Sequence, residues 1–492
     1  MWPATEEIPL KKKSLLENII YNVVYQLLVT ALPIITSPYT ARVLGLRTSG
    51  FHSYTESIVT YFIIFGFLGT ALYGTRKIAY VRDTPEALTQ AAWDIIWLRF
   101  ILMVVTLAVY IPLLCIHNEF AYLYRIQIIN IVASGLDISW FFQGVEDFKR
   151  VALRNMLVKL AYVICLFTLI KSPSDLSLYV FLIVASAFLG NLVMWFFLPQ
   201  YLGKRSMRKP TAMKQHLAAS FGLFIPQITN YVYALLDRSM LKWMTGNTDY
   251  VSIYDYGQRI IRAIAAVLQS VGYVMMARIA NLQAANDREQ IQDYIQKSMS
   301  LTLFFALPIM FGLGGIAKDF APLFLGKEFA SVSLVLQLLC PLAVTLSVNS
   351  VLGVQLLISV GKEKQYTVAT TTGAVVNTII NLLLLPSYNV VGACISSLCA
   401  EIIVMAITYH ASREYLSIKD IAKENAVPFF TAAAMFGIVL AIQQLSIQPV
   451  VRLLLEIGVG AVFYAAVMYI AKNKVMMLIC SRWLNRLHKR KL

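Results

Sequence analysis

Residues 252–264 read SIYDYGQRIIRAI. Asp255, Arg259 and Arg262 stand here amid sequence that is apolar for long distances on both sides. On a helix, Asp255 and Arg259 are i,i+4 neighbours, and Arg262 follows three residues later on the same face. The same letters describe a solvated helix on a soluble protein or the polar interior of a membrane bundle, so the fold turns on which of the two surrounds them.

Composition decides for the membrane. Of 492 residues 58% are hydrophobic and 14% charged, against about 25% charged in soluble proteins. A crossing of the hydrocarbon core needs roughly 20 mostly apolar residues. Runs of that kind recur near 15–45, 48–73, 91–116, 119–143, 151–171, 175–199, 214–243, 250–277, 295–316, 329–358, 364–386, 389–411, 426–445 and 449–471. The expected fold is an all-α polytopic membrane protein of about 14 transmembrane helices. Lys11, Lys12 and Lys13 precede the first run, which reads as a span rather than a cleavable leader.

Loop charge tests the count. With the N-terminus inside and sides alternating, 29 Lys and Arg residues fall on inner loops and six on outer ones. That is the positive-inside pattern, and it places both termini in the cytoplasm. It also accounts for the net charge of +16: the basic residues set topology and meet anionic inner-leaflet lipid, so no nucleic-acid partner is expected. The tail sets Met477, Trp483, Leu484 and Leu487 against Lys474, Arg482, Arg486 and Arg490, a spacing that suits an amphipathic helix on the inner membrane surface.

The chain also repeats. VLGLRTSGFHSYTESI from Val43 aligns with WMTGNTDYVSIYDYGQRI from Trp243, Gly45 on Gly246 and FHSYTESI over IYDYGQRI. Six expected spans separate the copies, so both run in the same direction, as in a parallel repeat about an axis along the membrane normal. The expected organisation is an N-terminal lobe (1–205), a C-terminal lobe (206–420), an extra helix pair (421–471) and a basic tail (472–492). Pro33 and Pro38 in the first span and Pro226 in the seventh are expected to bend corresponding helices.

Enzyme chemistry is not legible. No GxxxxGK[ST] occurs. The six cysteines (Cys115, Cys165, Cys340, Cys394, Cys399, Cys480) and five histidines are scattered without metal-ligand spacing. Asp319 and Glu328 stand alone in a short outer loop. The expectation is a non-enzyme without cofactor or metal.

Charge inside the spans is therefore the functional signal, because a mid-span arginine costs roughly 2.5–3.5 kcal/mol on insertion scales and tends to face a partner or a wet cavity. The candidates are Glu56, Arg99, Arg125, Asp137, Lys159, Asp237, Arg238, Asp255, Arg259, Arg262, Glu401 and Arg452 with Glu456. An Asp255–Arg259 pair neutralises itself but does not account for Arg262, about twelve residues into its span, and guanidinium forks suit phosphate oxygens. Glu56 occupies the repeat position of Gln258. Asp137 and Glu401 lie in the inner halves of their spans. Arg125, and Arg99 with Asp94, read as snorkelling charges. Arg452 and Glu456 read as a structural pair within one helix turn.

PYTARVLGLRTSGFHSY (38–54), LGTALYGTRKIAYVRD (68–83), LLDRSMLKWMTG (235–246) and YDYGQRI (254–260) resemble the hallmark hairpins of bacterial polysaccharide repeat-unit flippases, which serve O-antigen, capsule and exopolysaccharide synthesis within the multidrug/oligosaccharidyl-lipid/polysaccharide exporter superfamily. The resemblance runs from about Leu15 to Ile470. It departs in a more basic tail and in His52, where the family more often has a tyrosine. It implies two pseudo-symmetric six-helix lobes around a central cavity that opens alternately inward and outward. It implies as substrate an oligosaccharide on undecaprenyl pyrophosphate, carried from the inner to the outer leaflet of the bacterial cytoplasmic membrane. Arg262, Arg259 and Arg42 are then expected at the pyrophosphate, and Glu56, Asp255, Asp237, Asp137 and Glu401 as gating or ion-coupling groups, the coupling ion (Na or H) being open. Membrane lipids and a polysaccharide polymerase are the implied partners. A peptidoglycan lipid II flippase and a drug or cation antiporter of the same superfamily are the alternatives.

With this topology, a cysteine introduced at Asn247 is labelled by an impermeant reagent from outside, and one at Lys209 is not. The reverse pattern refutes the topology.

Overall fold

The computed structural model describes residues 15–202, 210–269 and 272–489, and their regular structure is helical throughout. Lys11–Lys13, Lys204, Arg205, Arg208, Lys209, Arg490 and Lys491 of the charge pattern lie outside the described residues. The helices are α1 (Leu15–Phe67), α2 (Thr70–Val81), α3 (Pro85–Leu114), α4 (Ala121–Leu136), α5 (Ser139–Gly144), α6 (Phe148–Leu169), α7 (Leu176–Trp195), α8 (Met213–Thr245), α9 (Thr248–Gln269), α10 (Gly272–Ala284), α11 (Arg288–Leu325), α12 (Val332–Leu339), α13 (Leu342–Asn349, continued as a π-helix over Ser350–Ile358), α14 (Glu363–Ser412), α15 (Ile418–Gln443), α16 (Pro449–Ile470) and α17 (Lys474–Lys489).

Helix covers each of the fourteen expected segments. Among the described residues seven helices are long and apolar enough to cross a membrane, or up to nine if each bent pair counts as one span. The helix α9 falls short of that standard because Asp255, Arg259 and Arg262 crowd its middle. Expected pairs of spans are joined in two places. In α1 the backbone leaves helical geometry at Gly45 (φ 76°, ψ 175°), not at Pro33 or Pro38; in α14 it does so at Asn389 (φ 47°, ψ −123°). Gly45 can take this left-handed φ because it lacks a Cβ. Proline within a membrane helix is tolerated where neighbours re-satisfy the freed groups.

The chain divides into two compact units, one of Met1–Leu32 with Thr55–Ile228, the other of Pro33–Tyr54 with Thr229–Leu492. The order of elements recurs: a short helix (α2; α10), a long one (α3; α11), a broken one (α4 with α5; α12 with α13) and then two more. That is the structural form of the repeat seen at Gly45 and Gly246.

In the first unit, Trp140, Phe141 and Phe142 of α5 pack with Ile78, Ile95 and Met194. Two glycines permit it: a Cβ at Gly74 would sit 2.5 Å from the Trp140 ring, and one at Gly144 2.6 Å from Ile78. The break between α4 and α5 exposes backbone that apolar surroundings cannot solvate, and side chains satisfy it. Asp137 accepts the Ser139 N–H (2.8 Å), Asn191 donates to the Ala133 carbonyl (2.7 Å) and Trp195 to that of Leu136 (2.8 Å). Arg154 donates to Asn191 (2.7 Å) and Ser139 (2.9 Å). Arg99 does not snorkel. It is buried, donates to Thr70 Oγ1 (2.8 Å) and to the Ser134 carbonyl, and stacks on Phe67. Asp94 is likewise buried, accepting from Gln90 (2.8 Å) and from the Thr211 N–H (2.9 Å), with His216 3.4 Å away. Where α6 gives way to α7, the Asp175 carboxylate accepts the backbone N–H groups of Lys171 (2.8 Å) and Ser172 (2.9 Å).

In the second unit, α11 carries the core, with Ile295, Met299 and Leu303 packed among Leu352, Ala432, Tyr464 and Met468. The extra pair α15–α16 is fastened to it by charge. Arg452 does not rely on Glu456: it forks onto Asp319 of α11, Nε to Oδ2 at 2.6 Å and Nη2 to Oδ1 at 2.5 Å. Spacing along one helix could not reveal this, since the partner lies 133 residues away. Tyr464 adds a bond to the Phe304 carbonyl (2.8 Å). Beyond, α17 leaves Met477, Leu478 and Ile479 exposed.

Arg452→Ala strands the Asp319 carboxylate. A loss of about 3 kcal/mol is expected, read as a lower unfolding temperature of the purified protein in detergent. The Arg452→Ala/Asp319→Ala double variant should be no less stable than Arg452→Ala, because the stranded charge is gone.

Candidate functional site

The polar residues of interest gather around α9 in the second unit. Gly246, at φ 69°, ends α8 by bonding its N–H to the Lys242 carbonyl (2.9 Å), and the Asn247 side chain accepts the Asp249 N–H (2.8 Å) at the start of α9. The facing part of α1 approaches very closely: a Cβ at Gly50 would lie 2.1 Å from the Thr248 carbonyl oxygen. Only glycine permits that approach. One turn further in, it brings Ser53 to Asp255.

Asp255 is fully buried and joins three elements. It accepts from Ser53 Oγ of α1 (2.7 Å) and Arg259 Nε of α9 (2.8 Å), and pairs with Arg238 Nη2 of α8 (2.6 Å). The i,i+4 pair is thus present, and Arg238 makes it a triad. Two guanidiniums thus meet at one buried carboxylate. The Arg259 side chain is 33% exposed and that of Arg238 18%, while Asp255 is wholly enclosed. At 1.5 Å per residue Asp255 sits roughly 10 Å into α9. Beside it, Tyr256 is buried with its hydroxyl 3.2 Å from Thr40 and 3.4 Å from Ser49.

A second buried acid, Asp237 of α8, takes a different set of partners. Tyr254 and Ser397 (2.8 Å) donate to one oxygen and Asn381 (2.6 Å) to the other, with Ser396 bonded to Asn381 (2.6 Å). The Tyr254 hydroxyl accepts from Gln258 Nε2 (2.5 Å), and Gln258 Oε1 accepts from Arg262 Nε (2.5 Å). Asp237, Tyr254, Gln258 and Arg262 therefore form one continuous hydrogen-bonded chain. Helical spacing pairs Asp255 with Arg259 and assigns Arg262 no partner; the structure gives it Gln258, one turn back on the same face.

Arg262 lies roughly 21 Å along α9 and borders a cavity of about 270 Å³. Gln269, Asn349, Tyr366, Thr370 and Glu401 share its wall. Glu401 is buried and accepts from Asn349 Nδ2 (2.7 Å). The π-helix over Ser350–Ile358 begins at this wall, and such irregular turns are frequent at functional sites.

Other expected residues go elsewhere. The exposed Arg42 donates to the Leu323 carbonyl. Glu56 is half-buried, and Thr60 bonds its carbonyl (2.7 Å). Asp137 caps α5. Arg125 is bonded to the Cys115 carbonyl (3.0 Å), and Lys159 is half-buried on α6. Charge alone missed Ser53, Tyr254, Gln258, Asn349, Asn381 and Ser397. Uncharged polar residues within apolar runs were the available signal, since they hydrogen-bond across membrane helices. Among the described residues no group of three or more His, Cys, Asp or Glu could hold a metal ion.

Comparison with known proteins adds an independent finding. The family model described as "Polysaccharide biosynthesis protein" matches residues 15–283, and the MatE model matches 223–383. A protein of Escherichia coli (strain K12) named "Putative O-antigen transporter" is 24% identical over 405 residues, 80% of this chain and 96% of that protein. A "Probable low-salt glycan biosynthesis flippase" of Haloferax volcanii is 21% identical over 267 residues, 53% of this chain and 56% of its own length. Among solved structures, the lipid II flippase MurJ in an inward closed conformation aligns with a TM-score of 0.74 at 15% identity, covering 94% of this chain and 100% of that one. An inward-facing multidrug resistance MATE transporter aligns at 0.59 and 12% identity, covering 80% and 99%. At these identities the structural likeness speaks for the fold.

Asp255→Ala removes the buried carboxylate on which Arg238 and Arg259 meet, a loss of about 3 kcal/mol. Far less monodisperse protein should be recovered after detergent extraction. Asp255→Asn keeps acceptors for Ser53 and Arg259 and should be recovered better than Asp255→Ala.

Proposed function

This chain belongs to the family of polysaccharide biosynthesis proteins, and on that premise we propose that it is a flippase for lipid-linked oligosaccharides. It moves undecaprenyl-pyrophosphate-linked repeat units from the inner to the outer leaflet of the bacterial cytoplasmic membrane by alternating access, for surface polysaccharide synthesis. Both termini lie in the cytoplasm, and the membrane is crossed about fourteen times. The names of the Escherichia coli and Haloferax relatives support this substrate class.

The observation that carries the reading is the shared carboxylate of Asp255. A multi-pass protein holds the partly exposed guanidiniums of Arg238 and Arg259 on a buried acid well inside a helix bundle, where arginine is expensive and tends to mark function, and guanidiniums held there suit an anionic cargo. Arg259 and Arg238 would meet the pyrophosphate through their planar forks. Arg42 is a further contact at the hairpin beginning at Gly45, and Glu56 a gating group there. Asp237 and Asp137 remain candidates for ion coupling. The sequence contains no P-loop, so the energy comes from an ion gradient or the membrane potential, through Na or H, and the protein acts as a transporter without catalysis. A polysaccharide polymerase would take up the product on the far side.

Purified protein in liposomes should flip lipid-linked repeat units without ATP. Arg259→Ala and Arg259→Glu should lose most of that activity at equal protein content, and Arg259→Lys, which keeps charge but not the fork, should retain part. A strict need for ATP, or parental transport by Arg259→Glu, refutes the reading.

A further inference from the structure

Glu456 of α16 is a buried acid that lacks a donor among the described residues. We propose that it shares one proton with Asp319 of α11, so that a carboxyl–carboxylate hydrogen bond docks the extra helix pair. The proposal is independent of the flippase reading, since it concerns how α15 and α16 are held and not the cargo.

The first observation is Glu456 itself. It is 1% exposed, and both its carboxyl oxygens are closed to solvent without a hydrogen-bond partner among the described residues. An ionised carboxylate so placed is an uncompensated charge in an apolar interior. Arg452, one turn back on the same helix, does not supply the missing donor. Its Nε and Nη2 fork onto Asp319 (2.6 and 2.5 Å), and its Nη1 turns to the Leu445 carbonyl (3.3 Å).

The second observation is the neighbour. Glu456 lies within hydrogen-bonding reach of Asp319. Ionised carboxylates only accept, so nothing bonds the two until one takes a proton, and like charges this close do not both ionise. Asp319 spends both oxygens on the Arg452 fork, which favours its ionised form. The proton therefore resides on Glu456 and is donated to Asp319. Neutral Glu456, anionic Asp319 and cationic Arg452 then sum to zero charge. The proton comes from solvent and returns to it, and no other covalent bond changes.

The helices packed around the pair bring no other charge to it. From Leu301 to Ala317 α11 carries no titratable residue, and Lys318 is exposed. From Asn425 to Gln443 α15 carries none either, and Gln443 donates to the Gly315 carbonyl. On α16, Tyr464 stands two turns further on, bonded to the Phe304 carbonyl (2.8 Å). At the opposite end of α16, Lys474 of α17 is bonded to Glu424 (2.9 Å). Packing is tight one turn from each acid: a Cβ at Gly315 would lie 2.8 Å from Val439, and one at Gly460 3.4 Å from Met435. The buried Glu456 oxygens leave no surface for a water molecule or a metal ion to touch. A proton needs none.

The test follows the unfolding temperature of the full-length protein in detergent from mildly acidic to mildly alkaline pH, for the parent and for Glu456→Gln. The folded chain holds a proton that an unfolded glutamate releases, so the stability it contributes is lost as pH rises through the range in which the pair gives it up. Glu456→Gln places a permanent N–H donor beside Asp319. The parent should fall a few degrees below the variant toward alkaline pH, and the difference should close toward acid pH. Infrared spectra at neutral pH give the direct readout: the parent should show the carbonyl band of a protonated carboxylic acid that Glu456→Gln lacks. Should Glu456→Gln fail to fold, Asp319→Asn, whose amide donates to an ionised Glu456, serves the same comparison and should lose both the band and the pH slope. Parallel pH profiles, or equal carboxylic-acid bands, overturn the proposal. A parent that is the more stable at alkaline pH overturns it as well and marks Glu456 as an ionised partner of Arg452. A rise in the parent's unfolding temperature with sodium at fixed ionic strength, absent from the variant, puts a cation where the proton was placed and also overturns it.

Discussion

Two guanidiniums share one buried carboxylate, and the geometry of the second unit follows from that constraint. Neither Arg238 nor Arg259 would be tolerated so deep among apolar helices without Asp255, and Asp255 would not be tolerated without them. Their mutual need brings α8 and α9 together over most of a turn and, through Ser53, draws in the part of α1 that follows Gly45. The approach is possible because Gly50 presents no side chain to the Thr248 carbonyl. One glycine and one carboxylate thus set the positions from which Tyr254, Gln258 and Arg262 project.

Backbone irregularity is handled by the same economy. Helices break at Gly45, between α4 and α5, between α12 and α13, and at Asn389. A freed carbonyl or N–H in an apolar setting must find a partner. Around the α4–α5 break the partners are Asp137, Asn191, Trp195 and Arg154. Asp137, a gating or coupling candidate in the sequence, is thus part of the scaffold here, and Arg99, which reads there as a snorkelling charge, is another part of it: its guanidinium spans Thr70 and the Ser134 carbonyl.

The two polar centres on α9 differ in how their groups are held: Asp255 is enclosed by Ser53, Arg238 and Arg259 from three helices, whereas Arg262 borders a cavity shared with Asn349 and Glu401. The hydrogen-bonded chain from Asp237 through Tyr254 and Gln258 ends on Arg262, so the orientation of that side chain is tied to a buried acid about a helix's width away.

Composition made the membrane class and the helical segments legible, because water and hydrocarbon sort residues by free energies that need no tertiary contact. Turn chemistry made the repeat legible: Gly45 and Gly246 both adopt left-handed φ where the two copies align. The Asp255–Arg259 pair was legible as well, since helical periodicity alone brings i and i+4 together. Arg238 on Asp255, Asp319 on Arg452, and Asn349 on Glu401 were not. Their partners lie on other helices, and helix packing alone chooses which side chain arrives. For the same reason sequence identified Arg262 as unusual yet misjudged its surroundings: whether a buried charge confronts an acid, an amide or open space is decided only when the helices close around it.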